Sequence, residues 1–195
     1  MDGTGRETIT ERQIQNALYH YLFPQFEIIY PNMDTITCYE ADILGITRAG
    51  YAYEYEIKIS LSDFRADLKK REKHATLAGR VRKIDYPYPW GKGKDYYVMD
   101  DAPDDPHHAL RYQCFPERRP KQFWYVVCGF SVPDGGLPAY AGLIQYDGHR
   151  FQVINDAPNL PASKVPQERI VHASSNMLYR YWQLRLRERL QGMEG

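Results

Sequence analysis

Asp42, Glu56 and Lys58 have the types and the spacing to do chemistry on a phosphodiester. Hydrolysing that bond requires an activated water and neutralised charge on the phosphate, and Mg²⁺ does both. Such an ion is held by one or two carboxylates together with water and phosphate oxygens. Asp42 is followed, after a short turn, by Glu56-Ile57-Lys58 on an alternating stretch. On neighbouring strands the two carboxylates can face the same way, and the backbone carbonyl of Ile57 can add a ligand. Lys58 shares the strand face of Glu56, about 7 Å further along. From there its ammonium can reach the scissile phosphate or the attacking water and stabilise transition-state charge. Glu11 is a candidate third acid, and Glu40 and Glu54 share strand faces with the core acids. The same pattern also suits a solvated sheet face with cross-strand charge pairs.

These side chains need elements to hold them. Ile14, Ala17, Leu18, Tyr21 and Leu22 recur at helical spacing and predict a helix over 9–22, capped by Thr8 or Thr10 and closed by Pro24. Glu11 then sits in its first turn. A short strand over 26–30 should end at Pro31-Asn32, and a second strand spans about 36–46. Over 51–60, Tyr51, Tyr53, Tyr55, Ile57 and Ile59 alternate with Glu54, Glu56, Lys58 and Ser60, so one face packs and the other is polar. A helix over about 61–74 follows, acidic in its first turn and basic in its last, as its dipole favours.

Residues 75–120 read as an irregular insertion with one short helix near 75–83. Phe123 to Cys128 is a continuous apolar run, typical of a strand buried on both faces. Asp147-Gly148 between 140–146 and 150–154 signals a hairpin. A long helix over 167–190 should turn Ile170, Met177, Leu178, Tyr181 and Leu184 inward and its arginines outward. The order predicts one α/β domain with a mixed central sheet flanked by helices.

Composition narrows the function classes. Hydrophobic residues make up 43% of the chain, enough for a sizeable core, and the net charge is zero. Nucleic-acid binding must therefore come from local clustering. From Arg65 to Lys83 the chain carries Arg65, Lys69, Lys70, Arg71, Lys73, Arg80, Arg82 and Lys83 against only Asp67 and Glu72. Such a cluster suits phosphate contacts, and equally a solvated helix end. The run from Tyr86 to Lys94 can stack on unpaired bases or pack its own aromatics. Three widely spaced cysteines argue against a disulfide framework and for a reduced, cytoplasmic setting. No run is long and apolar enough to span a membrane, and no glycine-rich motif indicates a nucleotide cofactor.

Asp42, Glu56-Ile57-Lys58 and Glu11 together resemble the PD-(D/E)XK nuclease superfamily, which includes archaeal Holliday junction resolvases. More narrowly, EADILGITRAG, EIKISLSDFRADLKK, FWYVV and LPAYAGLI are similar to the MmcB-like family of DNA-repair-associated nucleases, across most of 8–190 outside the insertion. Ala41 departs from that pattern, standing where the superfamily has proline. The resemblance implies a restriction-endonuclease-like core and a Mg²⁺- or Mn²⁺-dependent deoxyribonuclease. Its DNA substrate would arise in repair, recombination or phage DNA processing, in a nucleoid or a phage-infected host cytosol. Resolvase-like nucleases work as dimers, so a homodimer is one expectation. The alternatives are a catalytically silent nuclease fold that binds DNA or a partner, and a nuclease directed at RNA.

Overall fold

A computed structural model describes residues 9–85 and 95–191. The leader, the alternative cap Thr8 and the aromatic stretch 86–94 lie outside them. The described chain is an α/β fold around a six-stranded mixed sheet.

The first helix, α1 (Glu11–Leu22), starts at a reciprocal cap. Thr10 Oγ1 accepts the Gln13 N–H, and Gln13 Oε1 accepts the Thr10 N–H at 2.8 Å. Ile14, Leu18 and Leu22 recur on one side of α1 and are buried. They pack against Ile43, Tyr55, Ile57, Trp124 and Val126 on one sheet face.

The central sheet runs in the order β1 (Ile28–Met33), β2 (Ala41–Ile46), β3 (Ala52–Lys58), β7 (Gln122–Cys128), β8 (Ala141–Tyr146) and β9 (Phe151–Asn155). Its middle pairs, β3 with β7 and β7 with β8, are parallel, and the outer pairs are antiparallel. β1 continues through Pro31 and Asn32 instead of ending there. As an edge strand it tolerates a proline that donates no hydrogen bond. β2 begins only at Ala41, so Cys38 and Glu40 lie outside it, and Glu40 is exposed. β7 is buried on both faces and β8–β9 form the hairpin, as their sequences require.

The expected helix over 61–74 is two helices, α2 (Leu61–Asp67) and α3 (Arg71–Ala78). Ser60 caps α2 by accepting the Asp63 N–H. The apolar stripe over 61–74 is too thin to bury as one rod. The break at 68–70 lets α3 turn Lys73 and Leu77 inward, and both are buried. α2 and α3 cover the second sheet face, where Phe64 and Leu77 meet Phe123, Tyr125 and Val127.

The stretch 75–120, expected to be irregular, is ordered in its described part. β4 (Val81–Ile84), β5 (Tyr96–Met99) and β6 (Gln113–Cys114) form a separate antiparallel sheet, with the short helix α4 (Pro106–Ala109) before β6. Ala75 of α3 joins its core with Val98, Met99 and Cys114. Apolar residues that looked scattered in the sequence are thus gathered by strand pairing.

The C-terminal helix α5 (Gln167–Gln191) is long, as expected. Its first half docks on β1, where Tyr30 Oη lies 2.7 Å from Ser174 Oγ and Ala173 is fully buried. Leu178, Tyr181 and Leu184 were expected inward, yet each is more than half exposed. Arg180 still reaches the Asn32 carbonyl of β1 at 3.1 Å, but that contact is polar and leaves these apolar side chains uncovered.

Candidate active site

β2 and β3 are antiparallel, with Ile43 opposite Tyr55. One step further along, Asp42 comes opposite Glu56, which puts both carboxylates on one face. Asp42 Oδ2 accepts the Ile57 N–H at 2.6 Å. Residues of a strand direct their N–H and carbonyl to the same side, so the Ile57 carbonyl faces the same space. Lys58 Nζ donates to Glu56 Oε2 at 3.0 Å. Four of the expected positions, Asp42, Glu56, Ile57 and Lys58, therefore converge.

The polar face of β3 is not solvated. Glu54 and Glu56 are 2% exposed and Lys58 is 6% exposed. α2 and α3 close over this face and bring two further charges to it. Asp67, at the end of α2, lies 4.0 Å from Lys58, and its Oδ2 accepts the Tyr125 hydroxyl at 2.7 Å. Lys73, from α3, donates to Glu56 Oε1 and lies 3.7 Å from Glu54 and 3.5 Å from Asp67. Glu56 is thus gripped by two ammonium groups. Lys70 reaches Asp67 from the half-exposed side at 2.7 Å.

Burial and the neighbouring Glu56 push the Asp42 carboxyl up to about 7, and burial likewise raises Glu54 to about 7 despite Lys73. Burial works against the Lys58 ammonium, but Glu56 and Asp67 overcome it and hold the pKa above the ordinary lysine range. Burial also opposes the Asp67 carboxylate, yet Lys73, Lys70 and Tyr125 hold it well below the usual range. His74 stays neutral near pH 7 because burial depresses its pKa. Its Nε2 lies 2.8 Å from the Asp67 carbonyl, which fixes the proton there and leaves Nδ1 to accept from Tyr140.

The cluster sets four carboxylates against the ammonium groups of Lys58, Lys73 and Lys70. Burial keeps protons on Asp42 and Glu54 up to about pH 7, so a cation bound there would take the place of those protons. The cluster's oxygen donors suit a hard divalent ion. Among the described residues no group of three or more His, Cys, Asp or Glu side chains forms a ready cage. Asp42, Glu56 and the Ile57 carbonyl would hold such an ion, with water completing the shell, as Mg²⁺ commonly requires.

The other expected positions separate. Glu11 is exposed and acts on Asp42 only as a minor like charge. The contact from α1 comes one turn later, where Gln15 Nε2 donates to the Asp42 carbonyl at 2.6 Å and to Asn32 Oδ1 at 2.9 Å. In the basic cluster Lys73 is 1% exposed, so it belongs to the buried site and not to a DNA-facing surface. Arg71 pairs with Asp101 and Lys83 with Asp95, while Arg82 is held by the Ala102 and Pro103 carbonyls and by Asp104. Arg65, Lys69 and Arg80 are exposed without an ion pair among the described residues. Gln15 and Asp67 were missed as site residues. Their signals were faint: Gln15 lies one helical turn after Glu11, and Asp67 interrupts the apolar stripe of its helix.

No protein-family model matches the chain, and no curated protein matches it. Among solved structures it is similar to a protein of unknown function from Silicibacter pomeroyi. The two are 18% identical, with 83% of this chain and 81% of that one covered, at a TM-score of 0.47.

Proposed function

We propose that this protein is a Mg²⁺- or Mn²⁺-dependent deoxyribonuclease of the PD-(D/E)XK type, acting in the cytosol on DNA in repair, recombination or phage DNA processing. One observation carries the reading: Asp42 accepts the Ile57 N–H at 2.6 Å from the neighbouring strand, beside Glu56, whose Oε2 lies 3.0 Å from the Lys58 ammonium. The ion, when bound, supplies Lewis acidity at the phosphate and a more acidic water. Asp42, Glu56 and the Ile57 carbonyl hold it. Lys58 stays protonated and presents its charge where a phosphate oxygen becomes more negative. Lys73 and Asp67 orient Glu56 and Lys58 from behind. Arg65, Lys69 and Arg80 supply phosphate contacts at the surface.

The test is cleavage of branched, single-stranded and duplex DNA, and of matching RNA, with and without Mn²⁺. The expected outcome is metal-dependent cleavage of DNA that falls by at least about a hundredfold in Lys58→Ala, the usual scale for losing one preorganised electrostatic contact. Equal cleavage by Lys58→Ala would sink the proposal, as would no cleavage at all. A second reading, a silent nuclease fold that binds DNA, is favoured by the grip of two lysines on the buried Glu56. It predicts salt-dependent DNA binding that survives Glu56→Ala, with no metal-dependent turnover.

A further inference from the structure

We propose that the cavity between α1 and the β1–β2 edge binds one unpaired nucleotide. This rests on the deoxyribonuclease reading and narrows its substrate to DNA that carries an unpaired nucleotide, as in a flap, gap or bulge. The cavity has a volume of about 600 Å³, within the range of small-ligand sites. Its floor is apolar: Ile29, Pro31 and Ile43 lie on one sheet face, with Pro31 opposite Ile43. Its outer wall is the polar side of α1, where Arg12, Asn16 and Tyr19 follow one another along the helix.

Two of these groups have no partner among the described residues. Arg12 makes no ion pair, and the Asn16 amide makes no hydrogen bond. An amide offers one donor and one acceptor side by side, which matches the edge of a nucleobase. The Tyr19 ring and the apolar floor suit the faces of a base, and Arg12 suits its phosphate. The cavity lies on the α1 face of the sheet, opposite the face that carries Glu56 and Lys58, and Gln15 links it to the proposed catalytic centre. Gln15 lines it, and the same Gln15 amide holds the Asp42 carbonyl at 2.6 Å. A base pair inside a duplex stays in its stack, so a nucleotide must be unpaired, or be extruded at a cost of a few kcal/mol, before it can enter.

The experiment is a titration of ¹⁵N-labelled protein with deoxyadenosine and deoxycytidine monophosphate, without metal, followed by NMR. The side-chain amides of Asn16 and Gln15 are expected to shift. Asn16→Ala and Arg12→Ala should each weaken binding about tenfold, the scale of one lost amide or cation contact. Both positions are exposed on a helix that alanine favours, and well-dispersed spectra of the variants verify folding. No shift at millimolar nucleotide, or shifts untouched by both substitutions, would overturn the proposal. If those shifts fail while Lys58-dependent DNA cleavage is present, the cavity proposal falls and the nuclease reading stands. If nucleotide binds as expected and no DNA is cut, the nuclease reading falls and the nucleotide site stands.

Discussion

Asp42 and Glu54 hold carboxyls whose ionisation the fold resists, each raised from an ordinary 3.8 or 4.5 to about 7. Between about pH 4 and 7 the folded chain keeps protons that the unfolded chain has released. Stability from these two groups is therefore full below their unfolded values and is lost as pH rises towards 7. Asp67 works in the opposite sense, because its lowered pKa stabilises the fold above about pH 4 and that contribution fades on acidification. Urea unfolding across this range should give a decline towards neutral pH that is shallower in Asp42→Asn. Lys73 offers a second check at the same scale. Its ammonium is 1% exposed and touches three carboxylates. Lys73→Met leaves Glu54 and Glu56 buried with less compensation, so unfolding free energy should drop by about 3–5 kcal/mol. A change below about 1 kcal/mol would mean that the network contributes little.

At the scale of elements, β3 ties the fold to the site. Its odd-numbered face packs under α1, and its even-numbered face carries Glu54, Glu56 and Lys58 under α2 and α3. The alternation was legible in the sequence, but the burial of both faces was not. A charged face reads as solvated unless complementary charges arrive from elsewhere, and here they come from Asp67 and Lys73 on helices broken at 68–70. The parallel β7–β8 pair has its own constraint. A Cβ added at Gly142 would lie 2.3 Å from the Trp124 ring and 2.7 Å from the Ala157 backbone nitrogen. The indole lies flat on the strand only because that position is bare. Gly142→Ala should cost about 1–3 kcal/mol through overpacking, measured as a lower denaturation midpoint with an unchanged slope.

Across the whole molecule, charge is balanced overall but sorted by depth. Acids and lysines of the site are inside, while Arg65, Lys69 and Arg80 are exposed without an ion pair among the described residues. If DNA docks there, replacing each with alanine should lower the slope of log affinity against log salt by about 1. Fluorescence anisotropy with duplex DNA between about 50 and 200 mM salt reads that slope directly. Unchanged slopes in all three variants would remove this face from the DNA path. No helix among the described residues is long and apolar enough to cross a membrane. The outer half of α5, whose Leu178, Tyr181 and Leu184 were expected to face inward from their period, instead exposes all three. Helical periodicity reports which residues share a side, and only the neighbours decide whether that side is covered.

The sequence by itself determined the strands of the central sheet, the hairpin at Asp147-Gly148 and the trio of Asp42, Glu56 and Lys58. Local alternation and turn chemistry act within a few residues, so these features are written in adjacent letters. Tertiary structure alone decided that Lys73 enters the site and Glu11 stays outside it. It also set Gln15 on the Asp42 carbonyl and gathered β4, β5 and β6 into a sheet. Each of those outcomes depends on contacts between residues far apart in the chain, where spacing carries no signal and the balance of burial against charge pairing sets the result.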